Sequence, residues 1–212
     1  MIDREKFIQA FLMGRIEEVK SLVEEALDAG ENPESLLNQV LIKVMNQVGL
    51  RFKNGEIFIP EVLVAARAMH ACLDILKPIL SNTGSPRMAK VVLGTVKGDL
   101  HDIGKNLVGM MLEGGGFEVI DIGIDVPPEK FIKAVKVHEP KIVGLSALLT
   151  TTMAQMKGTI EALRALGLGS QTRTIVGGAP VTEEFARQIG ADGYAPDAVT
   201  AVEKVRELIG LN

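Results

Sequence analysis

The segment "AKVVLGTVKGDLHDIGKNLVGMML", residues 89–112, holds the pattern that decides the fold of the C-terminal half. It begins with a short apolar run of β type, passes through a glycine-bounded loop and continues with apolar residues at helical spacing. The loop carries Asp99, His101 and Asp102 just after the predicted strand. Ligands of parallel α/β sheets bind beyond the carboxyl ends of the strands, so these polar side chains fall where a ligand would bind.

The rest of the C-terminal half repeats this alternation of strands and helices. Further β-type runs occupy residues 117–123, 141–147 and 172–178, and a weaker run at 191–195 precedes a last helix from Asp197. Alternating elements of this kind predict a five-stranded parallel sheet, flanked by helices on both faces, with a flavodoxin-like or Rossmann-like architecture. Five units fit the flavodoxin-like order better than a complete dinucleotide-binding fold.

The N-terminal half contains only helical signals. Apolar residues recur at spacings of three and four, Asp3 can cap a first helix, and Asn32 followed by Pro33 is a strong helix start. These signals predict a four-helix bundle over residues 1–80. The polar segment "SNTGSPR", residues 81–87, has linker composition, which leaves residues 88–212 for the α/β domain.

Composition argues against several classes of protein. The chain has 212 residues, 47% of them hydrophobic, and a net charge of -4 without a basic run that could follow phosphates. We therefore expect no nucleic-acid partner. No segment has the roughly 20 consecutive apolar residues of a membrane span, and the N-terminus lacks a long apolar core, so we expect a cytoplasmic protein without membrane contact. Cys72 is the only cysteine, which excludes an internal disulfide and fits an ordinary core residue.

The glycine-rich loop does not match the known phosphate-binding patterns. A Walker loop has four residues between its glycines, whereas Gly98 and Gly104 are separated by five, and Asn106 follows Lys105 where Ser or Thr is required. The glycine spacing of a dinucleotide fingerprint is also absent. A phospho-receiver of this fold needs an aspartate at the end of its third strand, where this chain has Ser146.

A single histidine in such a loop is more often an ordinary surface residue than a metal ligand. Here, however, Asp99 lies two residues before His101. In that position its carboxylate can accept a hydrogen bond from one ring nitrogen and leave the other nitrogen basic, which is how carboxylates orient metal-ligating imidazoles.

These residues resemble the cobalamin-binding domains of methionine synthase type, and in particular the small corrinoid proteins of methyltransferase systems. The string "GDLHDIGKN" is especially similar to the corrinoid proteins, and "RFKNGEIFIPEVLVAARAM", residues 51–69, resembles the helical cap that shields the upper face of the corrin. The family's Asp-x-His-x-x-Gly, Ser-x-Leu and Gly-Gly motifs are matched, in this order, by Asp99, His101, Gly104, Ser146, Leu148, Gly177 and Gly178.

The resemblance implies a role for each matched residue. His101 would replace the benzimidazole of the cofactor as lower axial ligand of cobalt, and Asp99 would hold the other ring nitrogen. Thr152 stands where the methionine synthase pattern has a serine that extends this relay. The displaced nucleotide tail would enter a channel beside the loops after strands one, three and four. The implied cofactor-binding residues are Asp99, His101, Asp102, Ile103, Gly104, Ser146, Leu148, Thr150, Thr152, Gly177, Gly178, Phe52, Ile59 and Val62.

The function implied is that of a methyl carrier that binds cobalamin, as methylcobalamin, cob(I)alamin or a related corrinoid. Since the chain has no room for a substrate barrel, it should not complete a methyl transfer alone. The implied partners are a substrate-specific methyltransferase for methanol, a methylamine or a methoxy compound, a second methyltransferase for tetrahydrofolate or coenzyme M, and a corrinoid reductive activase. The linker at 81–87 is the candidate hinge of the cap.

Two alternatives from other classes stay open. A cobalamin-dependent sensor would need an output module, yet the helical half is already accounted for by the cap. A small subunit of an adenosylcobalamin mutase shares the lower motifs but lacks this cap. The apolar residues Phe52, Ile59 and Val62 could also be plain core of the bundle.

Overall fold

The computed structural model of the chain describes residues 4–82 and 89–211. The chain divides into two compact units, of which one contains the helical half together with Glu113–Gly116 and the other contains the rest of the α/β half. The predicted cap at Asp3 lies outside the described residues.

The helical unit has the four helices that the sequence predicts. Asn32 and Pro33 begin the third helix as expected, because the Asn32 side chain accepts a hydrogen bond from the Ser35 amide at 3.0 Å. The last helix packs against each of the other three and includes Ser81 and Asn82 of the predicted linker, whose residues 83–87 lie outside the described part. The helices are α1 (Arg4–Leu12), α2 (Ile16–Asp28), α3 (Pro33–Ser35, Leu36–Leu41 and Ile42–Lys53) and α4 (Ile59–Asn82).

Helix α3 is not regular along its whole length. Its segment Leu36–Leu41 is π-helical, with α-helical turns before and after it. A π turn contains more residues than an α turn. The buried residues of this helix recur in pairs every four positions, at Leu36, Leu37, Val40, Leu41, Val44, Met45 and Val48.

The interior of the helical unit is apolar. Cys72 is completely buried there, and burial raises the pKa of its thiol to about 12. Because the thiolate is the reactive form of cysteine, this side chain is an unreactive core residue, as the sequence indicates. Among the fully buried side chains around it are Phe7, Phe11, Leu36, Leu41, Met69, Leu73 and Leu76.

The α/β unit contains a parallel sheet of five strands in the order β2-β1-β3-β4-β5. This is the flavodoxin-like order that the alternation of strands and helices predicts. The strands are β1 (Lys90–Thr95), β2 (Glu118–Asp121), β3 (Ile142–Ser146), β4 (Arg173–Gly177) and β5 (Gly193–Ala195). The helices are α5 (Ile103–Gly114), α6 (Pro128–His138), α7 (Met153–Ala165), α8 (Glu183–Gln188) and α9 (Ala198–Leu208).

Local sequence explains where the last helix of this unit begins. The Asp197 carboxylate accepts a hydrogen bond from the Thr200 amide at 2.8 Å, which caps α9 as predicted. The central strands are almost wholly apolar, because helices cover both faces of the sheet. Within the described part of the chain, no helix is both long and apolar enough to cross a membrane.

Candidate functional site

The register of the sheet brings three strand ends together at one edge. Thr95 of β1 is paired with Ser146 of β3, which is paired in turn with Gly177 of β4. The Thr95 side chain is buried and its hydroxyl donates a hydrogen bond to the His101 carbonyl oxygen at 2.9 Å. The Thr95 side chain therefore holds the loop after β1 at the main chain of His101. This loop lies beside the loops that follow β3 and β4.

Asp99 is the buried centre of this edge, with no solvent exposure. Its Oδ2 accepts hydrogen bonds from the amides of Leu148 at 2.8 Å and Leu149 at 3.2 Å, and from the Thr152 hydroxyl at 2.7 Å. Its Oδ1 accepts from the His101 amide at 3.1 Å. One carboxylate thus joins the loop after β1 to the loop after β3.

The charge of Asp99 follows from these contacts. Burial raises the pKa of a carboxyl group, but hydrogen bonds from Thr152, Leu148 and His101 outweigh that effect and hold the pKa of Asp99 well below its ordinary value. The group is therefore an ionised carboxylate at neutral pH, and an ionised carboxylate can only accept hydrogen bonds.

The orientation of His101 follows in turn from the charge of Asp99. The ring is half exposed, and its Nδ1 lies 2.8 Å from the Oδ1 of Asp99. Because Asp99 can only accept, Nδ1 carries a proton, so the lone pair of the neutral ring lies at Nε2, the nitrogen that can bind a metal. The single hydroxyl proton of Thr152 points to Asp99, and the Thr152 oxygen also lies 2.9 Å from the Leu149 carbonyl oxygen, so a threonine supplies the hydroxyl at the relay position.

Exposed apolar side chains lie next to His101 in the chain and in the loop held by Asp99. Leu100 is 67% exposed and Ile103 is 81% exposed, while Leu148 and Leu149 are also exposed. Four large apolar side chains beside one imidazole form a surface suited to a flat, largely apolar ligand.

The side chains at this site fit a metal ion that takes most of its ligands from a cofactor and not from the protein. Over residues 4–82 and 89–211, no group of three or more His, Cys, Asp or Glu side chains is arranged to hold a metal ion. One oriented imidazole bordered by apolar surface is instead the arrangement expected under a metal held in a macrocycle. The residues present therefore fit a corrin with His101 as axial ligand.

The start of α5 holds the other predicted residues of the first motif. The Asp102 carboxylate accepts a hydrogen bond from the Asn106 side chain at 3.1 Å. A Cβ atom at Gly104 would have no other atom within 4 Å, so packing inside the protein does not require glycine there. That Gly104 leaves room for a ligand stays a prediction.

The two glycines after β4 have an explanation within the protein. A Cβ atom at Gly177 would lie 2.8 Å from the Ala195 carbonyl oxygen, and one at Gly178, where φ is +133°, would collide with the Ala147 carbonyl oxygen. Both positions need glycine whether or not a ligand binds. Ser146 is partly buried at the end of β3, and Thr150 is exposed in the loop that follows.

The three predicted residues of the helical unit have different environments. Val62 is 2% exposed and belongs to the core of the unit, whereas Ile59 is 47% exposed beside the still more exposed Phe58. Phe52 is intermediate. A contact of these residues with a corrin stays a prediction.

Sequence reasoning missed Lys105 and Asp125 at the α/β site. Lys105 is buried and its ammonium group pairs with Asp121 and donates to the Asn106 side chain. The Asp125 carboxylate accepts a hydrogen bond from the Gly98 amide at 2.6 Å. Neither residue belongs to a motif with a recognised spacing. Ile103 and Leu148 were predicted, whereas Leu100 and Leu149, which are also exposed, could have been noted from the sequence.

Comparison with known proteins agrees with this geometry. Models described as B12 binding domains match residues 89–203 and residues 3–77. Trimethylamine corrinoid protein 1 of Methanosarcina acetivorans is 42% identical over 190 residues, which are 89% of this chain and 88% of that protein. The dimethylamine corrinoid protein of Methanosarcina barkeri is 41% identical over 206 residues, which are 97% of this chain and 96% of that protein.

Solved structures give the same result. A cobalamin-binding protein from Desulfitobacterium hafniense has 36% identity and a TM-score of 0.81, with 98% of this chain and 99% of that chain covered. The methanol:cobalamin methyltransferase complex MtaBC from Methanosarcina barkeri matches with 31% identity and a TM-score of 0.84, covering 98% of this chain and 79% of that chain. With the buried Asp99, the half-exposed His101 and the apolar surface beside it, these matches show that the chain belongs to the B12-binding family of corrinoid proteins.

Proposed function

We propose that this protein is a methyl carrier that binds cobalamin with His101 as the lower axial ligand of cobalt. The observation that carries the proposal is the Nδ1 contact of His101 with the buried, ionised Asp99, which places the lone pair of the neutral ring at Nε2, beside an apolar surface. When bound, the cobalt of the cofactor supplies a nucleophile in its reduced state and a methyl donor in its methylated state.

The residues of the chain control the environment of that metal. Asp99 fixes the tautomer of His101 and makes Nε2 a better donor, because a negative charge behind an imidazole raises its basicity. Thr152, Leu148 and Leu149 keep the carboxylate in place through their hydrogen bonds. The exposed side chains of Leu100 and Ile103 exclude water from the face on which the imidazole lies.

The helical unit is proposed to cover the other face of the corrin. Phe58 and Ile59 offer exposed apolar surface for that purpose, whereas Val62 supports them from the core. This cap would have to move aside before a partner enzyme could reach the methyl group. Such a cap protects a reactive metal from water and oxidants between transfers.

The proposed partners follow from the relatives. We propose that one methyltransferase loads the cofactor and that a second one passes the methyl group to tetrahydrofolate or coenzyme M. Relatives that are named for trimethylamine and dimethylamine favour a methylated amine as the donor, ahead of methanol and methoxy compounds. A reductive activase would restore cobalt(I) after accidental oxidation.

The test is reconstitution of the protein with hydroxocobalamin and with methylcobalamin. We expect one cofactor per chain and a visible spectrum of histidine-ligated cobalt, which His101→Ala should lose. His138→Ala is the matched control, because this histidine ends α6 of the same unit and is not part of the site. Absence of binding, or an unchanged spectrum in His101→Ala, would contradict the proposal.

Loading by a partner is tested separately. Wild-type protein in the cobalt(I) state, mixed with a trimethylamine or dimethylamine methyltransferase and its substrate, should acquire the methylcobalamin spectrum. Methylation by a methanol methyltransferase alone would exclude the amine donor while leaving the carrier role intact. Stable binding of adenosylcobalamin without methylation by any of these partners would favour a sensor or a mutase subunit.

A further inference from the structure

Asp125 has an unusual backbone conformation. Its φ is 51°, in the left-handed region that few residues other than glycine adopt. Among the residues that the structure describes, Glu139 is the other non-glycine residue of this kind, and it is the left-handed residue that ends α6. Left-handed residues commonly end helices, so Glu139 has an ordinary explanation. Asp125 lies in the connection between β2 and α6 and does not end a helix, so this explanation does not apply to it.

The contacts of Asp125 are directed at the loop that carries the site. Its Oδ1 accepts a hydrogen bond from the Gly98 amide at 2.6 Å, and its own amide donates to the Asp99 carbonyl oxygen at 3.0 Å. The next residue, Val126, donates to the Thr95 carbonyl oxygen at 2.9 Å. The loop after β2 therefore holds the loop after β1 on both sides of the turn at Gly98.

The turn at Gly98 decides where Asp99 lies. Gly98 has a φ of +80°, and the chain reverses there so that the Asp99 amide donates back to the Val96 carbonyl oxygen at 3.1 Å. An unpaired amide at such a turn would be free to rotate with its peptide plane. The carboxylate of Asp125 fixes the peptide plane between Lys97 and Gly98, one residue before Asp99.

We propose that Asp125 is a positioning residue for the Asp99–His101 pair. The side chain of Asp99 is held by the loop after β3, through the amides of Leu148 and Leu149. Its main chain is held by Asp125 from the loop after β2. The carboxylate behind the imidazole is thus located from two sides, and Asp125 does this without touching a ligand.

Aspartate meets two requirements at this position. Asp and Asn tolerate the left-handed region better than other side chains, and both can accept a hydrogen bond from a nearby amide. Glycine would meet the first requirement and fail the second. Asp125→Asn should therefore preserve the arrangement, whereas Asp125→Gly should keep the backbone and lose the contact to Gly98.

The inference rests on the proposed function, and one readout does not need the cofactor. In apo-protein labelled with ¹⁵N-histidine, we expect a low-field signal for the proton on Nδ1 of His101. The hydrogen bond from this N–H to the Asp99 carboxylate protects the proton from exchange with water. The signal should persist in Asp125→Asn and broaden beyond detection in Asp125→Gly. Glu139→Gly, which relieves a left-handed residue elsewhere, is the matched control and should keep the signal.

The second readout uses protein loaded with hydroxocobalamin. The pH at which half of the histidine-ligated spectrum is lost on acidification measures the strength of ligation. A charge-assisted hydrogen bond supports roughly a tenfold change in such an equilibrium, so the midpoint of Asp125→Gly should lie about one pH unit above wild type. Asp125→Asn and Glu139→Gly should match wild type.

Each outcome bears on the inference or on the function separately. Unchanged signal and midpoint in Asp125→Gly, or equal losses in Asp125→Asn and Asp125→Gly, would overturn the role of Asp125. If Asp125→Gly does not fold, hydrogen exchange in the wild type decides, because an unprotected Gly98 amide contradicts the proposed contact and a protected one supports it. Failure of wild-type protein to show histidine ligation at all would instead refute the proposed function, and the apo signal would still test Asp125.

Discussion

The two units of the molecule hold their candidate site residues in different ways. In the α/β unit, the Asp99 carboxylate accepts hydrogen bonds from two loops, and each bond fixes a direction. In the helical unit, Ile59 and Val62 differ only in how far they are exposed. Hydrogen bonds have a direction, so the role of a polar group can be inferred before a ligand is bound. The role of an apolar side chain can be inferred only from what it packs against.

Among the substitutions that test this difference between the two units, we expect the largest effect from a change at Asp99. Asp99→Asn keeps the size of the side chain but places an NH₂ group where a donor already points, so one buried donor loses its acceptor. We expect a loss of about 3 kcal/mol in the free energy of unfolding and a disordered His101 ring. Urea unfolding and the NMR spectrum of His101 measure the two effects.

The control for that variant is Asp197→Asn. Asp197 also accepts from a backbone amide, but it does so as an exposed helix cap, where Asn and Asp are nearly equivalent. Its free energy of unfolding should change by less than about 0.5 kcal/mol. Equal losses in the two variants would mean that the buried network of Asp99 contributes nothing special.

A second prediction concerns the pH dependence of stability. The pKa of Asp99 is lower in the folded protein than its ordinary value of 3.8, so the group stabilises the fold above that pH. This contribution is lost as the pH falls below 3.8, because the Asp99 carboxylate is then protonated in the unfolded chain while it is still ionised in the folded chain. Urea unfolding between roughly pH 2 and pH 6 should show a steeper acid loss for wild type than for Asp99→Asn. Parallel curves for the two proteins would contradict the ionised state of Asp99.

In the helical unit, the substitution that lowers stability should differ from the one that changes the protection of the cofactor. Val62→Ala removes buried methyl groups and should cost about 2 kcal/mol in the free energy of unfolding. Ile59→Ala removes exposed surface and should cost less than about 0.5 kcal/mol. If Ile59 covers the corrin, Ile59→Ala should nevertheless speed the oxidation of bound cob(I)alamin. An oxidation rate in Ile59→Ala equal to that of wild type would show that Ile59 does not shield the cofactor.

A smaller loss of stability than that of Val62→Ala is expected at Thr152. Thr152→Val keeps the shape of the side chain and removes one donor to Asp99, which should cost about 1.5 kcal/mol. Thr152→Ser keeps the donor and should stay within about 0.5 kcal/mol of wild type in its free energy of unfolding. A serine variant as unstable as the valine variant would show that the methyl group, rather than the hydroxyl, is what matters here.

The sequence predicted the elements and the central pair because their signals are local. Strand runs, helix caps and the spacing of Asp99 and His101 all lie within a few residues of one another. Asp125 was missed because it is 27 residues from its partner Gly98, and only the folded chain brings them together. The two glycines after β4 were predicted only as cofactor-binding residues, since the neighbouring carbonyl oxygens that require glycine cannot be known from sequence.

The π-helical segment Leu36–Leu41 has a consequence for how the length of α3 can vary. Positions four apart in a regular α-helix turn away from one another by about 40° at each step, so the buried pairs between Leu36 and Val48 would drift around the helix by about 120°. The wider turn takes up part of this drift and keeps the pairs on one side. Because the wider turn holds about one residue more than an α turn, deleting a single residue from the segment should convert it to regular α-helix and leave Val44 and Met45 facing the core. The same deletion in an α-helical part of α3 has no wider turn to absorb it and should rotate everything after it by about 100°. Changes in the length of this helix should therefore be confined to the segment Leu36–Leu41 and to the turns on either side of α3.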